Sequence, residues 1–208
     1  MLIIGSGSFL ADLLTTICID FTTEELVIYN DVNMPYPDFV SNDFRILKND
    51  DEVINYFEQE DDRFVVAIGN NVNREKVSNK FTSLGGKNVS FISSGALVGK
   101  YADISPVGVI ITAHACITNG VTVSEGTIIY AFSGIGHFSK IGKYCLLSSN
   151  VIMSDTSIGD YCDIGIGVSF VPGKSIGSNC KVGTGSVITK SYGNDLILAG
   201  NPAKIFHQ

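Results

Sequence analysis

An aliphatic residue returns about every six positions between Val98 and Ile188, and this rhythm constrains the fold more than any other feature of the chain. A period of six fits neither the 3.6-residue repeat of a helix nor the two-residue alternation of a strand. It is typical of a parallel β-helix, in which each short strand buries one side chain. Two slips, near residues 111–117 and 148–157, divide the pattern into three runs. The in-phase residues are Val98, Ile104, Ile110, Ile117, Val123, Ile129, Ile135, Ile141, Leu147, Ile158, Ile164, Phe170, Ile176, Val182 and Ile188.

A second set of residues, two positions before the aliphatic ones, is repeatedly small. Both sets can face inward only if the chain turns a corner every six residues, so three such turns should complete one triangular coil. The glycines that directly follow the aliphatic residues, such as Gly136 and Gly142, are expected at corners that need positive φ. Lys174 breaks the small-residue rule and is expected to mark a loosened corner. The small set comprises Ser133, Ser139, Cys145, Thr156, Cys162, Cys180 and Ser186.

Composition narrows the range of functions. The chain of 208 residues has a net charge of −7, and no stretch concentrates enough Lys and Arg to neutralise a run of phosphates, which argues against nucleic-acid binding. No apolar stretch reaches membrane-spanning length and the start of the chain lacks a basic leader, so we expect a cytoplasmic protein. Three of the five cysteines occupy inward positions of the coil. Cys18 is expected on a buried helix face, and neither it nor Cys116 has a CxxC partner, so no metal site is expected.

The first ninety residues alternate between predicted strands and helices. Such alternation predicts a small parallel sheet with covered faces, in which ligands bind outside the carboxyl ends of the strands. The sequence therefore predicts an α/β domain over 1–92, a coil domain over 93–190 and a C-terminal tail over 191–208. The predicted strands are 1–4, 26–29, 63–68 and 89–92, and the predicted helices are 9–19, 51–57 and 74–81.

Two features near the predicted strand ends are candidates for nucleotide binding. The Gly5-Ser6-Gly7 turn follows the first strand, but a full dinucleotide fingerprint would have a third glycine where this chain has Leu10. The turn fits either a phosphate site or a tight strand-to-helix connection. Asp31 follows the second strand, where a carboxylate accepts hydrogen bonds from a base or ribose or, alternatively, caps a turn.

Five stretches in order along the chain resemble one known family: LIIGSGSF, YNDVN, VAIGNNVNREKV, GHFSKIG and LAGNPAKIF. The family is that of the bacterial sugar O- and N-acyltransferases of the sialic acid O-acetyltransferase type, which includes enzymes that acetylate the 4-amino group of UDP-linked deoxyamino sugars. The resemblance covers nearly the whole chain. It implies a Rossmann-like N-terminal domain, a left-handed β-helix and a homotrimer, in which three equivalent clefts would lie between neighbouring subunits.

The resemblance assigns a catalytic role to His137, which lies outside both inward sets. Its imidazole would take a proton from a sugar amine or hydroxyl during direct attack on the thioester of acetyl-CoA. Backbone N–H groups near Ser154 and Asp155 would stabilise the oxyanion. The family places an acidic residue directly after this histidine, whereas this chain has Phe138. Asp155, one coil further along, would supply the missing carboxylate if it faces the same cleft, and Glu125 is a more distant candidate.

The resemblance also implies binding residues for both substrates. Acetyl-CoA would lie along a coil edge between two subunits, with lysines at its phosphates, and a nucleotide-linked amino sugar would bind the N-terminal domain. His114 and His207 match no motif. The expected acetyl-CoA contacts are Gly165, Ile166, Gly167, Gly183, Thr184, Lys190 and Lys204. The expected sugar-nucleotide contacts are Gly5, Ser6, Gly7, Ser8, Asp31, Asn33, Gly69 and Asn70.

Several other functions compete with N-acetylation of a nucleotide-linked deoxyamino sugar. A γ-type carbonic anhydrase needs three histidines on zinc, and the three histidines of this chain have unsuitable spacing. A serine or free-hexose acetyltransferase would have a helical N-terminal region. O-acetylation of sialic acid or a related sugar hydroxyl remains open, as does a non-catalytic sugar-nucleotide-binding role, because Phe138 replaces the acidic neighbour.

Overall fold

The computed structural model describes residues 1–5, 7–30 and 38–206. It divides into two compact units, Met1–Phe91 and Ile92–Gln208. The first is an α/β domain of Rossmann-like topology and the second is a left-handed parallel β-helix, which confirms the predicted fold class. None of the described helices is long and apolar enough to cross a bilayer.

The first unit is a five-stranded parallel sheet with strand order β3-β2-β1-β4-β5. Its side chains are buried on both faces of the central strands, which explains their nearly continuous apolar sequence. The strands are β1 Leu2–Ile4, β2 Val27–Tyr29, β3 Arg45–Leu47, β4 Arg63–Val66 and β5 Lys87–Asn88. The helices are α1 Ser8–Ile17, α2 Asp38–Asp43, α3 Asp50–Gln59 and α4 Asn71–Ser83, with a 3₁₀ turn at Thr23–Glu25.

Several boundaries in this unit differ from the sequence prediction. Helix α4 begins three residues early because the Asn70 side chain caps it, accepting a hydrogen bond from the Asn73 N–H at 2.9 Å. The predicted strand 89–92 is wrong, since β5 lies earlier and Phe91–Ile92 joins the coil. Strand β3 and helix α2 had no prediction, because both are too short to show a periodic pattern.

The cysteines of the coil occupy the predicted inward positions, whereas Cys18 does not. Cys145, Cys162 and Cys180 are fully buried. Cys18 is exposed, because α1 ends at Ile17 and the next residue leaves the helix. Its expected place on a buried helix face is therefore wrong.

The coil consists of two- and three-residue strands arranged as three parallel faces. The first face contains β6 Phe91–Ile92, β9 Ile110–Ile111, β12 Ile128–Ile129, β15 Leu146–Leu147, β18 Asp163–Ile164, β21 Lys181–Val182, β23 Ile197–Ala199 and β24 Lys204–Ile205. The second contains β7 Leu97–Val98, β10 Cys116–Ile117, β13 Gly134–Ile135, β16 Ile152–Met153, β19 Ser169–Phe170 and β22 Val187–Ile188. The third contains β8 Asp103–Ile104, β11 Thr122–Val123, β14 Lys140–Ile141, β17 Ser157–Ile158 and β20 Ser175–Ile176.

The C-terminal stretch 191–208, expected as a tail, contributes to the first face. Strand β23 pairs in parallel with β21, and β24 turns back antiparallel to β23.

The inward aliphatic residues of successive coils stack in one continuous core. The predicted register is wrong at the first slip. Ile111, not Ile110, pairs with the inward Ile129, and Ile110 pairs with the outward Ile128. The extra residue therefore lies before Ile111, within the turn that follows Ile104. At the second slip, the inward residue is Met153, which pairs with Ile135. The next inward residue, Ile158, comes only five positions later.

The glycines next to the inward residues have a different role from the one predicted. Gly136, Gly142 and Gly159 do not have positive φ. They are small because the next coil passes directly beneath them: a Cβ on Gly159 would lie 2.5 Å from the backbone nitrogen of Ser178. The corner conformation is carried, in most turns, by the third residue after the inward one. Positive φ is found in the coil at Gly108, His114, Gly120, Gly126, Phe132, Phe138, Tyr144, Asn150, Asp155, Tyr161, Gly167, Gly173, Asn179, Gly185, Asp195 and Gly200.

Replacing a close-contact glycine should therefore destabilise the coil, whereas changing a corner residue to glycine should not. We expect Gly159→Ala to lower the free energy of unfolding by about 1–3 kcal/mol, the usual cost of overpacking. Asn150→Gly is the matched control, because Asn150 has a φ of 61° that glycine adopts without strain. Denaturant unfolding measures both, and equal stability of the two variants would contradict this account of the glycines.

A partly buried ion pair in the first unit should make its stability depend on pH. Burial opposes ionisation of Asp61, but hydrogen bonds from the Arg63 guanidinium and backbone N–H and from the Met1 ammonium outweigh it and hold the pKa of this carboxyl well below its usual range. A lowered pKa stabilises the folded state at pH values above the unfolded pKa of about 3.9, and this stabilisation is lost as pH falls below it.

We therefore expect thermal stability to fall as pH decreases below about 4, with a weaker decrease in Asp61→Asn. Asp62→Asn is the control, because Asp62 pairs with Lys87, whose side chain is 72% exposed, and exposed pairs contribute little. An unchanged pH dependence in Asp61→Asn would overturn the assignment.

Candidate active site

His137 lies at the corner between the second and third faces of the coil. It is the second residue after the inward Ile135, and its side chain is exposed. The next residue, Phe138, adopts a φ of 59°, and its ring stands edge-on to the imidazole with centroids 5.4 Å apart. The same ring covers Gly120 of the preceding coil, where a Cβ would lie 2.9 Å from it. Phe138 is thus a corner residue that forms one wall beside the histidine.

The hydroxyl of Ser154, one coil further along, holds the imidazole. Ser154 Oγ lies 3.2 Å from His137 Nδ1. The register that pairs Ile135 with Met153 places Ser154 opposite Gly136. A Cβ on Gly136 would lie 2.5 Å from Ser154 Oγ, so the glycine leaves the space that the hydroxyl occupies.

The hydrogen-bond ladder between successive coils is interrupted at the backbone N–H of Ser154. In the other coils, the N–H that follows an inward residue donates to the next coil, as Gly136 does to the Met153 carbonyl and Val171 to the Ile188 carbonyl. Among the described residues, the Ser154 N–H has no backbone acceptor. The turn from Met153 to Ile158 is one residue short, so the chain leaves the second face early at this point. A hydrogen-bond donor therefore remains unused beside His137.

Neither carboxylate expected to support His137 contacts it. The Asp155 N–H donates to the His137 carbonyl at 2.9 Å, but within the described part of the chain its carboxylate forms no hydrogen bond with the imidazole. Glu125 pairs with Lys143 at 2.8 Å, next to the corner between the third and first faces. The expectation that Asp155 replaces the missing acidic neighbour does not hold, because Asp155 occupies the corner itself and Ser154 contacts the ring.

The expected acetyl-CoA residues cluster at the other edge of the second face. Gly165 and Thr184 lie in adjacent coils, with a Gly165 Cβ position 2.7 Å from the Thr184 nitrogen. Gly167 and Gly185 both adopt positive φ and have open space where a Cβ would be, and Ile166 is exposed. A shallow cavity of about 220 Å³ lies on the first face beside this edge; strands β15, β18, β21 and β23 line it, together with Ser148, Gly165 and Gly183.

The two expected phosphate-binding lysines are exposed. Lys190 lies over the ring of Tyr192 at 5.4 Å, and Lys204 is in strand β24. Neither forms an ion pair among the described residues.

In the first unit, the two glycine loops follow neighbouring strands at the carboxyl edge of the sheet. Strand β1 ends beside β4, with Ile4 paired with Val66. Gly5 is small because a Cβ would collide with the carbonyl oxygen of Ala67. Gly7, directly before Ser8 at the start of α1, does not have a positive φ, and no atom of the described residues lies within 4 Å of its Cβ position. Packing explains Gly5 but leaves Gly7 available for close approach of a ligand.

The loop after β4 is held by Arg74, which no pattern in the sequence marks as functional. Arg74 is 1% exposed, and its guanidinium donates to the carbonyls of Ile68 and Gly69 at 2.9 and 2.7 Å. Asn70 uses its side chain to cap α4. At Gly69, as at Gly7, no atom in the described part of the chain lies within 4 Å of the Cβ position.

Four of the residues considered in the sequence, Ser6, Asp31, Asn33 and His207, lie outside the described residues. In the described part of the chain, no group of three or more His, Cys, Asp or Glu side chains is placed to hold a metal ion.

Parts of the chain are similar in sequence to known proteins. Residues 1–81 match the family of the PglD N-terminal domain. A stretch of 52 residues is 40% identical to the candidate acetyltransferase YJL218W of Saccharomyces cerevisiae, and it spans 25% of this chain and 26% of the yeast protein.

Several solved structures match along nearly the whole chain, among them the following two. The acetyltransferase domain of PglB from Neisseria gonorrhoeae, in complex with acetyl coenzyme A, is 25% identical with a TM-score of 0.84, covering 99% of this chain and 98% of that one. A histidine-to-asparagine variant of perosamine N-acetyltransferase from Caulobacter crescentus, in complex with CoA and GDP-perosamine, is 24% identical with a TM-score of 0.86, covering 100% and 96%. The chain therefore has a PglD-type N-terminal domain over residues 1–81, and it shares its two-domain fold with the acetyltransferase domain of PglB.

Proposed function

We propose that the protein transfers an acetyl group from acetyl-CoA to the amino group of a nucleotide-linked deoxyamino sugar, with His137 as general base. The observation that carries this proposal is the juxtaposition at one corner of the coil of an exposed imidazole and an unused backbone N–H at Ser154. Acyl transfer to an amine needs both a proton acceptor and an oxyanion donor.

The reaction follows from these two groups. The sugar nitrogen attacks the thioester carbon while His137 accepts a proton from it. The carbonyl oxygen becomes an oxyanion, and the Ser154 N–H donates a hydrogen bond to it. The C–S bond then breaks, and CoA leaves as a thiolate that recovers the proton from the imidazolium. No acyl-enzyme is required.

Acetyl-CoA is the donor in this proposal, and the edge lined by Gly165, Ile166 and Gly183 is its binding surface. The PglB acetyltransferase domain, which shares the fold, binds acetyl coenzyme A. Glycines with open Cβ positions let an extended chain approach the backbone closely. Lys190 and Lys204 supply positive charge for the CoA phosphates.

The N-terminal domain binds the nucleotide part of the acceptor at the carboxyl edge of its sheet. No atom of residues 1–5, 7–30 or 38–206 lies within 4 Å of the Cβ positions of Gly7 and Gly69 in the two loops there, and parallel sheets of this kind bind ligands at this edge. The N-terminus of α1 favours a phosphate next to Gly7. Ser6, Asp31 and Asn33 complete this part of the proposal.

Assembly as a homotrimer through the second face would complete the site. His137 and the acetyl-CoA edge lie at opposite edges of this face, separated by on the order of 10–15 Å of strand. Threefold packing of the second face brings the His137 corner of one subunit to the acetyl-CoA edge of its neighbour. The outward strand residues of this face carry no charge: Leu97, Cys116, Gly134, Ile152, Ser169 and Val187.

We expect His137→Ala to lower kcat by about 10²–10⁴, the usual contribution of a general base. The measurement is thiol release from acetyl-CoA with GDP-perosamine, with UDP- and dTDP-linked 4-amino-4,6-dideoxy sugars and with sialic acid. His114→Ala is the matched control, because it removes a histidine from a different corner of the coil.

The outcomes separate the candidate functions. Turnover on a 4-amino sugar that is lost only in His137→Ala supports the proposal, whereas turnover that survives this change removes His137 from the mechanism. Turnover on sialic acid alone would establish O-acetylation instead. Binding of sugar nucleotide without turnover would favour a non-catalytic role.

A charge on the second face should prevent assembly. Ile152 is 51% exposed, and we expect Ile152→Lys to give a monomer of 22.3 kDa where the native protein has three times that mass. Ser157→Lys, at an exposed outward position of the third face, is the matched control and should remain trimeric. Light scattering measures both masses. A native monomer, or a trimer that persists in Ile152→Lys, would exclude this interface.

A further inference from the structure

An imidazole can act as a base through only one nitrogen at a time, because in the neutral ring the other nitrogen carries the proton. In His137, Nδ1 lies 3.2 Å from Ser154 Oγ. Within the described residues, Nε2 forms no hydrogen bond, so it is the nitrogen left for a substrate. The proton must therefore sit on Nδ1 for His137 to be a base.

We infer that the Ser154 hydroxyl is a positioning residue that selects this tautomer. It accepts a hydrogen bond from Nδ1–H, fixes the ring plane and leaves the Nε2 lone pair available for the sugar amine. This inference rests on the proposed function, and it assigns to Ser154 a side-chain role separate from that of its backbone N–H.

The surroundings of the imidazole support a neutral partner. Phe138 covers one side of the ring edge-on and carries no charge. Asp155 and Lys140 are the ionisable residues on the adjoining corner and strand, and neither side chain is hydrogen-bonded to the imidazole. A hydroxyl in this place orients the ring but does not stabilise the imidazolium. A carboxylate in the same place would stabilise it.

The coil is built to seat this hydroxyl. A Cβ on Gly136 would lie 2.5 and 2.6 Å from Ser154 Oγ and Cβ, and 3.0 Å from the Met153 carbonyl oxygen. Gly136 also continues the ladder by donating to that carbonyl. Because Gly136 has no side chain, the Ser154 hydroxyl can lie close enough to the His137 imidazole to form a hydrogen bond.

The first test reads the tautomer directly and needs no acceptor. The chain has only three histidines, so the ring nitrogens of His137 can be assigned by ¹⁵N NMR with the help of His137→Ala. In the native protein on the alkaline side of neutrality, we expect the proton on Nδ1. In Ser154→Ala, the imidazole should revert to the Nε2–H form that free histidine favours in water. The same tautomer in both proteins would overturn the inference.

The second test uses steady-state kinetics with whichever amino sugar is turned over. We expect Ser154→Ala to lower kcat by about 10- to 100-fold, by analogy with histidines that lose their hydrogen-bonding partner in metal sites, with little change in KM. Ser154→Thr keeps the hydroxyl and should retain most activity. A loss in Ser154→Thr equal to that in Ser154→Ala would contradict the inference.

A third variant tests whether the side chain at position 154 faces Nδ1. Ser154→Asp places a carboxylate at Nδ1, which stabilises the imidazolium, so the acid limb of its pH–rate profile should lie at higher pH than in the native protein. A side chain that pointed away from the ring would leave this limb unmoved and would contradict the inference. If no sugar is turned over, the NMR comparison still decides the role of Ser154, while the proposed function fails separately.

Discussion

The hydrogen-bond ladder between successive coils is the constraint on which the rest of the second unit depends. Except at Ser154, the N–H after an inward residue donates to the carbonyl of the residue that lies opposite in the next coil, and the aliphatic side chains stack beneath these bonds. Because every face is bonded in this way, a side chain's position follows from its distance along the chain to the nearest inward residue. His137 and Ser154 meet for this reason, although 17 residues separate them.

The same ladder explains why one irregularity matters. The turn after Met153 is a residue shorter than the others, and the chain turns at Asp155, two residues after the inward position rather than three. This early corner coincides with the loss of the Ser154 ladder bond. A regular coil uses its N–H groups for its own stability, whereas the short turn leaves the Ser154 N–H without a backbone acceptor among the described residues.

The glycines of the coil meet two different structural requirements. Gly136 and Gly159 are small because the next coil lies against them, whereas Gly167 and Gly185 occupy left-handed corners with open space around them. Sequence reasoning assigned the first kind to corners, since a glycine beside an inward residue looks the same in either role. The prediction for Asp155 failed for a similar reason. Its distance along the chain from His137 is right for a contact, but at this corner the backbone N–H of Asp155, and not its carboxylate, bonds to the histidine.

By itself, the sequence determined the two-domain fold and the exposure of His137. Burial of one residue in six produces a periodic pattern that can be recognised in the sequence without knowing which residues are in contact. The inward serines, threonine and cysteines were predicted for the same reason and are buried. Only the tertiary structure decided the register at Ile111, the partner of the imidazole and the role of Arg74. These depend on which residues of successive coils, or of a loop and a helix, lie opposite each other, and a single inserted or omitted residue changes that without changing the pattern on either side.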